Sequence, residues 1–204
     1  MRVTAPLALT LVSTSVAANQ YGGVTLSAWN IATAYSVGNR VYYYAGATAP
    51  LVYHAFEALT AHTGQTPAIG GTSDWLDLGP VNDRAMFDSR TGTLTTASEE
   101  IDVTVAPGVF FDHIALVRLE GCLTVQITVS RGSGETYQEF YDQTFDVTDD
   151  ATSWSDYFFS DDTTVRSALT ITPQIFYSDA KVRVILTGAT GSTVGLGLLL
   201  VGRG

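Results

Sequence analysis

The sequence has little of what disulfides, metal sites and nucleic-acid binding require. Its 204 residues include one cysteine and three histidines, so no intrachain disulfide can form and the histidines lack the spacing of a zinc site. Lys and Arg number 10 against 20 Asp and Glu, for a formal net charge of -10. Because binding to nucleic acid relies on a clustered basic face, nucleic acid is not expected as a partner. We expect no metal and no cofactor.

Long hydrophobic runs are also missing. The apolar stretch VGLGLLLVG near the C-terminus has nine residues, whereas a membrane-spanning helix needs about 20, so it predicts a terminal strand and no membrane insertion. Arg2 followed by the apolar stretch 5–16 resembles a secretory signal, but Pro6 and several hydroxyl residues interrupt it. We therefore expect an ordered, extended arm at the N-terminus, with a cleaved signal as the alternative.

No arrangement of residues typical of catalysis is evident. Carboxylate pairs are abundant, but nothing selects two of them as an acid and a base, as a glycosidase would need. The segment 132–134, Gly-Ser-Gly, lacks the strand-to-helix turn of a nucleophilic serine and fits a hairpin. Loop aspartates could instead bind calcium, although the fixed spacing of a calcium loop is missing; these are Asp149, Asp150, Asp161 and Asp162. We expect a protein that is not an enzyme.

What the sequence does contain is two-residue alternation of apolar and polar side chains. It recurs over 101–105, 123–129 and 182–186, and such alternation predicts strands with one buried and one solvent-facing side. Gly- and Pro-containing turns separate these segments. The expected fold class is all-β, a small β module followed by an antiparallel β-sandwich of jelly-roll type. Cys122 lies in an alternating run and is expected to be a buried thiol.

The composition of the chain and the length of its apolar segments change near Gly79-Pro80. Short segments rich in Ala, Gly, Thr and Tyr precede it, and long alternating segments follow it. We predict an extended N-terminal docking arm over 1–25, a small β module over 26–80 and the sandwich over 85–204. A second aromatic cluster is expected to divide between the sandwich core and an interface, because neighbouring strand residues face opposite sides; it comprises Trp154, Tyr157, Phe158 and Phe159.

The stretch AWNIATAYSVGNRVYYYAG, residues 28–46, concentrates aromatic residues in the small module. Aromatic rings can stack on sugars, or they can fill a core too small to be closed by aliphatic side chains. Because side chains alternate along a strand, Tyr42 and Tyr44 are expected on one face and Val41 and Tyr43 on the other. The residues expected to fill the small core are Trp29, Tyr35, Val41 and Tyr43.

The order of residues in this module resembles the small chitin- and cellulose-type carbohydrate-binding modules of bacterial hydrolases. The residues that carry the resemblance are Trp29, 34–41 (AYSVGNRV), 53–55 (YHA), Gly64, Pro67 and 75–79 (WLDLG). Those modules typically carry an exposed aromatic pair shortly after the position of Tyr53, and here Phe56 is followed by Glu57 and Ala58. Any glycan-binding rings are therefore expected to be Tyr42, Tyr44 and Phe56.

The wider context is similar to a family of tailed-bacteriophage and prophage virion proteins. The matching segments are 1–6 (MRVTAP), 78–88 (LGPVNDRAMFD), 156–159 (DYFF) and the Gly-rich apolar C-terminal strand. The resemblance implies a structural component of the phage tail or tail tip, located in the virion. Its expected partners are other tail proteins, further copies of itself and a host-surface glycan. The alternative is a carbohydrate-binding module that acts in host adsorption or as an accessory domain of a secreted hydrolase.

Overall fold

The computed structural model describes residues 5–44, 53–133, 137–148, 167–173 and 177–203. Within these ranges the chain is almost entirely β-structure, so the predicted all-β class is confirmed. The second aromatic cluster and the four aspartates considered for calcium lie outside the described residues; these are Asp149, Asp150, Trp154, Tyr157, Phe158, Phe159, Asp161 and Asp162.

The strands are short in the first half of the chain and long in the second. In chain order they are β1 (Ala5–Pro6), β2 (Thr10–Thr14), β3 (Gln20–Tyr21), β4 (Val24–Thr25), β5 (Ser27–Ala28), β6 (Ala34–Tyr35), β7 (Arg40–Tyr44), β8 (Tyr53–Ala58), β9 (His62–Thr63), β10 (Trp75–Pro80), β11 (Thr95–Ser98), β12 (Glu100–Ala106), β13 (His113–Glu120), β14 (Cys122–Arg131), β15 (Gln138–Asp146), β16 (Ala168–Ile171), β17 (Lys181–Gly188) and β18 (Thr193–Arg203). A 3-10 helix, Asn82–Phe87, lies between β10 and β11. No helix among the described residues is long and apolar enough to cross a membrane.

Two antiparallel five-stranded sheets form the predicted sandwich. One has the order β15-β14-β17-β12-β2, and the other has the order β1-β18-β13-β16 with β11 also paired to β18. The alternating apolar residues of both sheets are buried in one core, as Val103 of β12 and Ile114 of β13 illustrate at 0% exposure. Cys122 lies in the same core at 1% exposure, and burial raises the pKa of its thiol.

The N-terminal segment belongs to both sheets of the sandwich. Strand β1 pairs with β18, and β2 pairs with β12 at the edge of the other sheet. Leu9 and Val16 are 6% and 5% exposed within the sandwich core. Burying an aliphatic side chain contributes about 1.5–3 kcal/mol, and β2 also supplies hydrogen-bond partners to an otherwise open strand edge. Residues 5–16 are thus extended and complete both sheets of their own sandwich, and docking of this segment on another subunit stays a prediction.

The short strands build a separate, four-stranded sheet of order β10-β8-β7-β5. Its pairs are antiparallel except β5–β7, which is parallel. The register places Val41 opposite Phe56 and Tyr42 opposite Ala55. This sheet lies within the predicted module, residues 26–80, although the predicted domain boundaries themselves stay predictions. We call it the small sheet.

A polar network fixes the 3-10 helix to β11. The Asn82 side-chain amide donates to the Thr96 carbonyl at 2.7 Å, and the Thr96 N–H donates to Asn82 Oδ1 at 2.8 Å. The buried Thr95 hydroxyl donates to the Asn82 carbonyl at 2.7 Å and accepts from the Met86 N–H at 3.0 Å. These bonds satisfy groups that would be costly to bury unpaired, so they hold the end of the small sheet against the sandwich.

Candidate functional site

The two faces of the small sheet are covered by different groups of side chains. Val41 and Tyr43 of β7 belong to a cluster with Trp75, whereas Tyr42 belongs to a cluster around Ala55. This division follows from the two-residue period of a strand. We call the Trp75 side the inner face and the Tyr42 side the tyrosine face.

The inner face is a compact aromatic core. The indole N–H groups of Trp29 and Trp75 both donate to the Gln65 carbonyl, at 3.1 and 2.8 Å. Tyr35 meets Trp75 edge to face with ring centroids 5.1 Å apart. Such edge contacts are a preferred aromatic geometry. The prediction that Trp29, Tyr35, Val41 and Tyr43 pack in the small core is confirmed.

Phe56 was predicted as one of three glycan-binding rings, and that prediction is wrong for this residue. Its side chain is 0% exposed, within the inner-face core opposite Val41. The neighbouring Ala55 is also 0% exposed, so β8 is covered on both sides. Two consecutive buried residues leave no alternation to reveal which side is solvent, and the ring of Phe56 cannot contact a sugar.

Tyr42 and Tyr44 lie on the tyrosine face, and a third ring joins them. The Tyr53 ring lies 5.3 Å from Tyr44 and 6.3 Å from Tyr42, between centroids. Tyr44 is 39% exposed, and Tyr42 and Tyr53 are partly buried. Tyr53 was missed as a site residue, because its place opposite Tyr44 depends on the register of the β7–β8 pair, which the sequence alone does not give. Of the three rings predicted, the structure thus brings two together and replaces the third.

An arginine lies behind the Tyr53 ring. The guanidinium carbon of Arg84 is 5.3 Å from the ring centroid, and Arg84 Nε is 3.2 Å from a carboxylate oxygen of Asp83. Asp83 is 0% exposed, and its burial raises the pKa of the carboxyl, partly opposed by the Arg84 charge. Arg84 thus places a cation over the face of the Tyr53 ring, which is a favourable arrangement.

The geometry of the tyrosine face suits contact with a curved, partly apolar surface. The Tyr53 ring is tilted by 48° from Tyr42 and by 50° from Tyr44, so the three rings do not form one flat plane. Tyrosine combines an apolar ring with a polar hydroxyl. Sugars have the matching combination of apolar C–H faces and hydroxyl edges.

A polar group links β8 to β10 within the small sheet. Asp77 accepts hydrogen bonds from the Gly70 and Gly79 N–H groups at 2.8 and 2.9 Å, and an Asp77 oxygen lies 2.8 Å from His54 Nδ1. Burial by itself would raise the pKa of Asp77, but these hydrogen bonds outweigh it and hold the pKa below its ordinary value. Among the described residues, no group of three or more His, Cys, Asp or Glu could hold a metal ion. Asp77 thus connects β10 to His54 of β8 and to Gly70.

Comparison with known proteins gives only distant similarity. No protein-family model and no curated protein matches the chain. Solved structures that it resembles include a chitosan-binding module of a Paenibacillus sp. IK-5 chitosanase/glucanase, with 19% identity, a TM-score of 0.38 and coverage of 58% of this chain and 82% of that one. Another is the family 32 carbohydrate-binding module of Clostridium perfringens NanJ, solved in complex with galactose. It has 11% identity and a TM-score of 0.37, and the match covers 58% of this chain and 82% of that one.

A third similar structure is a Ruminococcus gnavus GH29 fucosidase in complex with fucose, at 9% identity and a TM-score of 0.38. The match covers 58% of this chain but only 21% of the fucosidase. At these identities and TM-scores the similarities do not assign a function.

Proposed function

We propose that this chain is a non-catalytic, glycan-binding structural component of a bacteriophage tail or tail tip. It docks on other virion proteins, assembles in several copies and contacts a host-surface glycan through the tyrosine face. The virion role rests on the sequence resemblance of segments 1–6 and 78–88 to tailed-phage proteins. The glycan role rests on one structural observation, the adjacent rings of Tyr42, Tyr44 and Tyr53 on one side of the small sheet.

Three properties of the tyrosine face support this role. Tyr44 presents 39% of its surface to solvent, so a ligand can reach the ring. Tyr42 and Tyr53 pack against the cluster of Leu26, Ala55 and Val81, so little side-chain entropy is lost on binding. Tyrosine is also enriched at binding surfaces because it offers a large contact area with few rotatable bonds.

Glycan-array binding of the recombinant full chain tests the glycan role. We expect Tyr44→Ala and Tyr53→Ala each to weaken binding about tenfold or more, since aromatic anchors dominate such contacts. Tyr137→Ala is the matched control, because Tyr137 is a 50% exposed tyrosine outside the small sheet, and it should leave binding unchanged. Equal binding by the wild type and Tyr44→Ala, or no binding to any glycan at high protein concentration, would contradict the glycan role.

The virion role has an independent test. Phage particles induced from a cell that encodes the chain should contain its peptides after purification, as detected by mass spectrometry. Multi-angle light scattering of the purified chain should report more than one copy. Glycan binding by a chain that is absent from particles would favour the alternative, a carbohydrate-binding accessory domain.

A further inference from the structure

A cleft separate from the tyrosine face lies between the β3–β4 hairpin and the 3-10 helix. Its volume is about 320 Å³, within the range of about 300–1,000 Å³ found for small-molecule sites. Tyr21 forms one wall, and its hydroxyl donates to the Leu78 carbonyl at 2.7 Å. Leu94 and Asn82 contribute further wall, and Asn82 is held by its bonds to Thr96. The cleft is thus preformed.

The charge of the cleft comes from one residue. All residues that line it are described, and among them Arg90 alone carries a charged side chain. Asp88, two positions before Arg90, hydrogen-bonds to two residues of the cleft wall: one oxygen accepts from the Arg90 backbone N–H at 2.8 Å, and the other accepts from the Thr93 hydroxyl at 2.7 Å. No ion pair of the Arg90 guanidinium occurs within the described part of the chain.

The neutral groups of the cleft complement this charge. The Gln20 carboxamide lines it and can both donate and accept, and the Thr93 hydroxyl retains acceptor capacity after donating to Asp88. Tyr21, Leu78 and Leu94 supply apolar surface. A ligand that satisfies all of these groups has a carboxylate, several hydroxyls and an apolar ring face.

We propose that this cleft binds a sugar acid, a monosaccharide unit of the uronic-acid type. Its carboxylate pairs with the Arg90 guanidinium, which matches a carboxylate with two parallel hydrogen bonds. Its hydroxyls bond to Gln20 and Thr93, and its ring lies against Tyr21. This site goes beyond the tyrosine face: the rings of Tyr42, Tyr44 and Tyr53 do not line the cleft. Tyr21 and Leu78 of the cleft pack against the same buried cluster as Tyr42 and Tyr53, so Arg90→Gln and Tyr44→Ala are the variants that test the two sites separately.

Chemical-shift titration of the ¹⁵N-labelled full chain with D-glucuronate tests the proposal. The amide signals of Gly22, Gly23 and Gly79, which border the cleft, should shift. D-glucose should bind at least about tenfold more weakly, since a hydrogen-bonded charge pair is worth that much or more. Acetate should also bind more weakly, because it lacks the ring and hydroxyls.

Substitutions locate the binding. Arg90→Gln should weaken glucuronate binding about tenfold or more, and Arg90→Lys should retain part of it because the charge remains without the planar fork. Arg40→Gln is the matched control, since Arg40 is an exposed arginine paired with Glu57 at 2.7 Å, and it should bind as the wild type does. Tyr44→Ala should likewise keep glucuronate binding, which separates this site from the tyrosine face.

Three outcomes would overturn the proposal: no shift of the cleft signals, equal glucuronate binding by the wild type and Arg90→Gln, or acetate and inorganic phosphate binding as tightly as glucuronate. The last would leave a simple anion site. Because Arg90 is exposed, the variants should fold, and unchanged signals elsewhere in the spectrum check this.

Discussion

The sandwich core and the core of the small sheet, as the described residues form them, are built from different kinds of side chain. The sandwich core consists mainly of Val, Leu and Ile from two five-stranded sheets. The core on the inner face of the small sheet has only five buried residues, and three of them are the rings of Tyr35, Phe56 and Trp75. A small sheet has few positions with which to bury apolar area, and each aromatic side chain buries about 150–250 Å². The aromatic enrichment of this small β module is therefore explained by its small size, because a few large rings are needed to form its core.

The aromatic rings of the small sheet divide into two groups according to the face on which they lie. Most rings of the small sheet stabilise it, and only those on the side away from Trp75 remain available to a ligand. Tyr44 at 39% exposure and Phe56 at 0% occupy neighbouring strands of one sheet. They differ in exposure because their side chains point to opposite faces of the sheet and because different residues cover the two faces.

The largest loss of stability is expected when the largest ring of the small core, Trp75, is removed. Trp75 is 0% exposed, so Trp75→Ala should lower the free energy of unfolding by about 3–5 kcal/mol. Hydrogen exchange should rise in β7, β8 and β10 while β12, β14 and β17 stay protected, if the two cores open as separate units. Leu186→Ala, from the sandwich core, is the matched control with the reverse pattern. Equal loss of protection in both regions for both variants would show one cooperative unit.

A smaller effect is expected from Asp77, which secures the small sheet through hydrogen bonds. Its pKa is lowered in the folded state, so its contribution is present above the ordinary value of about 3.9 and is lost as pH falls through the folded pKa. Asp77→Asn should cost about 1 kcal/mol at pH 6, and the difference from the wild type should shrink towards pH 2. Urea unfolding at several pH values measures this. A difference independent of pH would show that the carboxylate charge contributes nothing.

The smallest effect on stability should come from Tyr44. The Tyr44 side chain is 39% exposed, and substitutions at exposed positions usually change stability little, so Tyr44→Ala should change the free energy of unfolding by less than about 0.5 kcal/mol. Thermal unfolding of Tyr44→Ala beside Phe56→Ala, which should cost about 3–5 kcal/mol, measures the contrast between the two faces. Similar losses in the two variants would contradict the division into a core face and a ligand face.

The sequence predicted strands β12, β14 and β17 of the sandwich well because each of them has one covered side. Val103 and Val105 alternate with polar residues, and the structure buries both at 0% exposure. The same reasoning predicted the buried Cys122 and the opposite sides of Tyr42 and Tyr43. It was wrong for Phe56, because β8 is covered on both sides and so has no alternation to follow.

Pairing between distant segments could not be predicted in this way. The apolar character of segment 5–16 predicts an ordered, extended segment, but it does not identify the strands that it contacts. Strand β2, flanked by the buried Leu9 and Val16, pairs with β12, about 90 residues further along the chain. Part of the predicted docking arm is thus integrated into the sheets of its own chain.

By itself the sequence determined the local properties of this protein: strand formation, the parity of each strand, the aromatic content of the small core and the absence of a clustered basic face. These follow from the side chains of neighbouring residues. Only the tertiary structure decided which faces are covered and which distant residues meet. Tyr53 joins Tyr44 through strand register, and Gln20 and Arg90 line one cleft although 70 positions separate them. The physical reason is that a strand fixes the direction of its side chains locally, whereas its neighbours are chosen by packing across the whole chain.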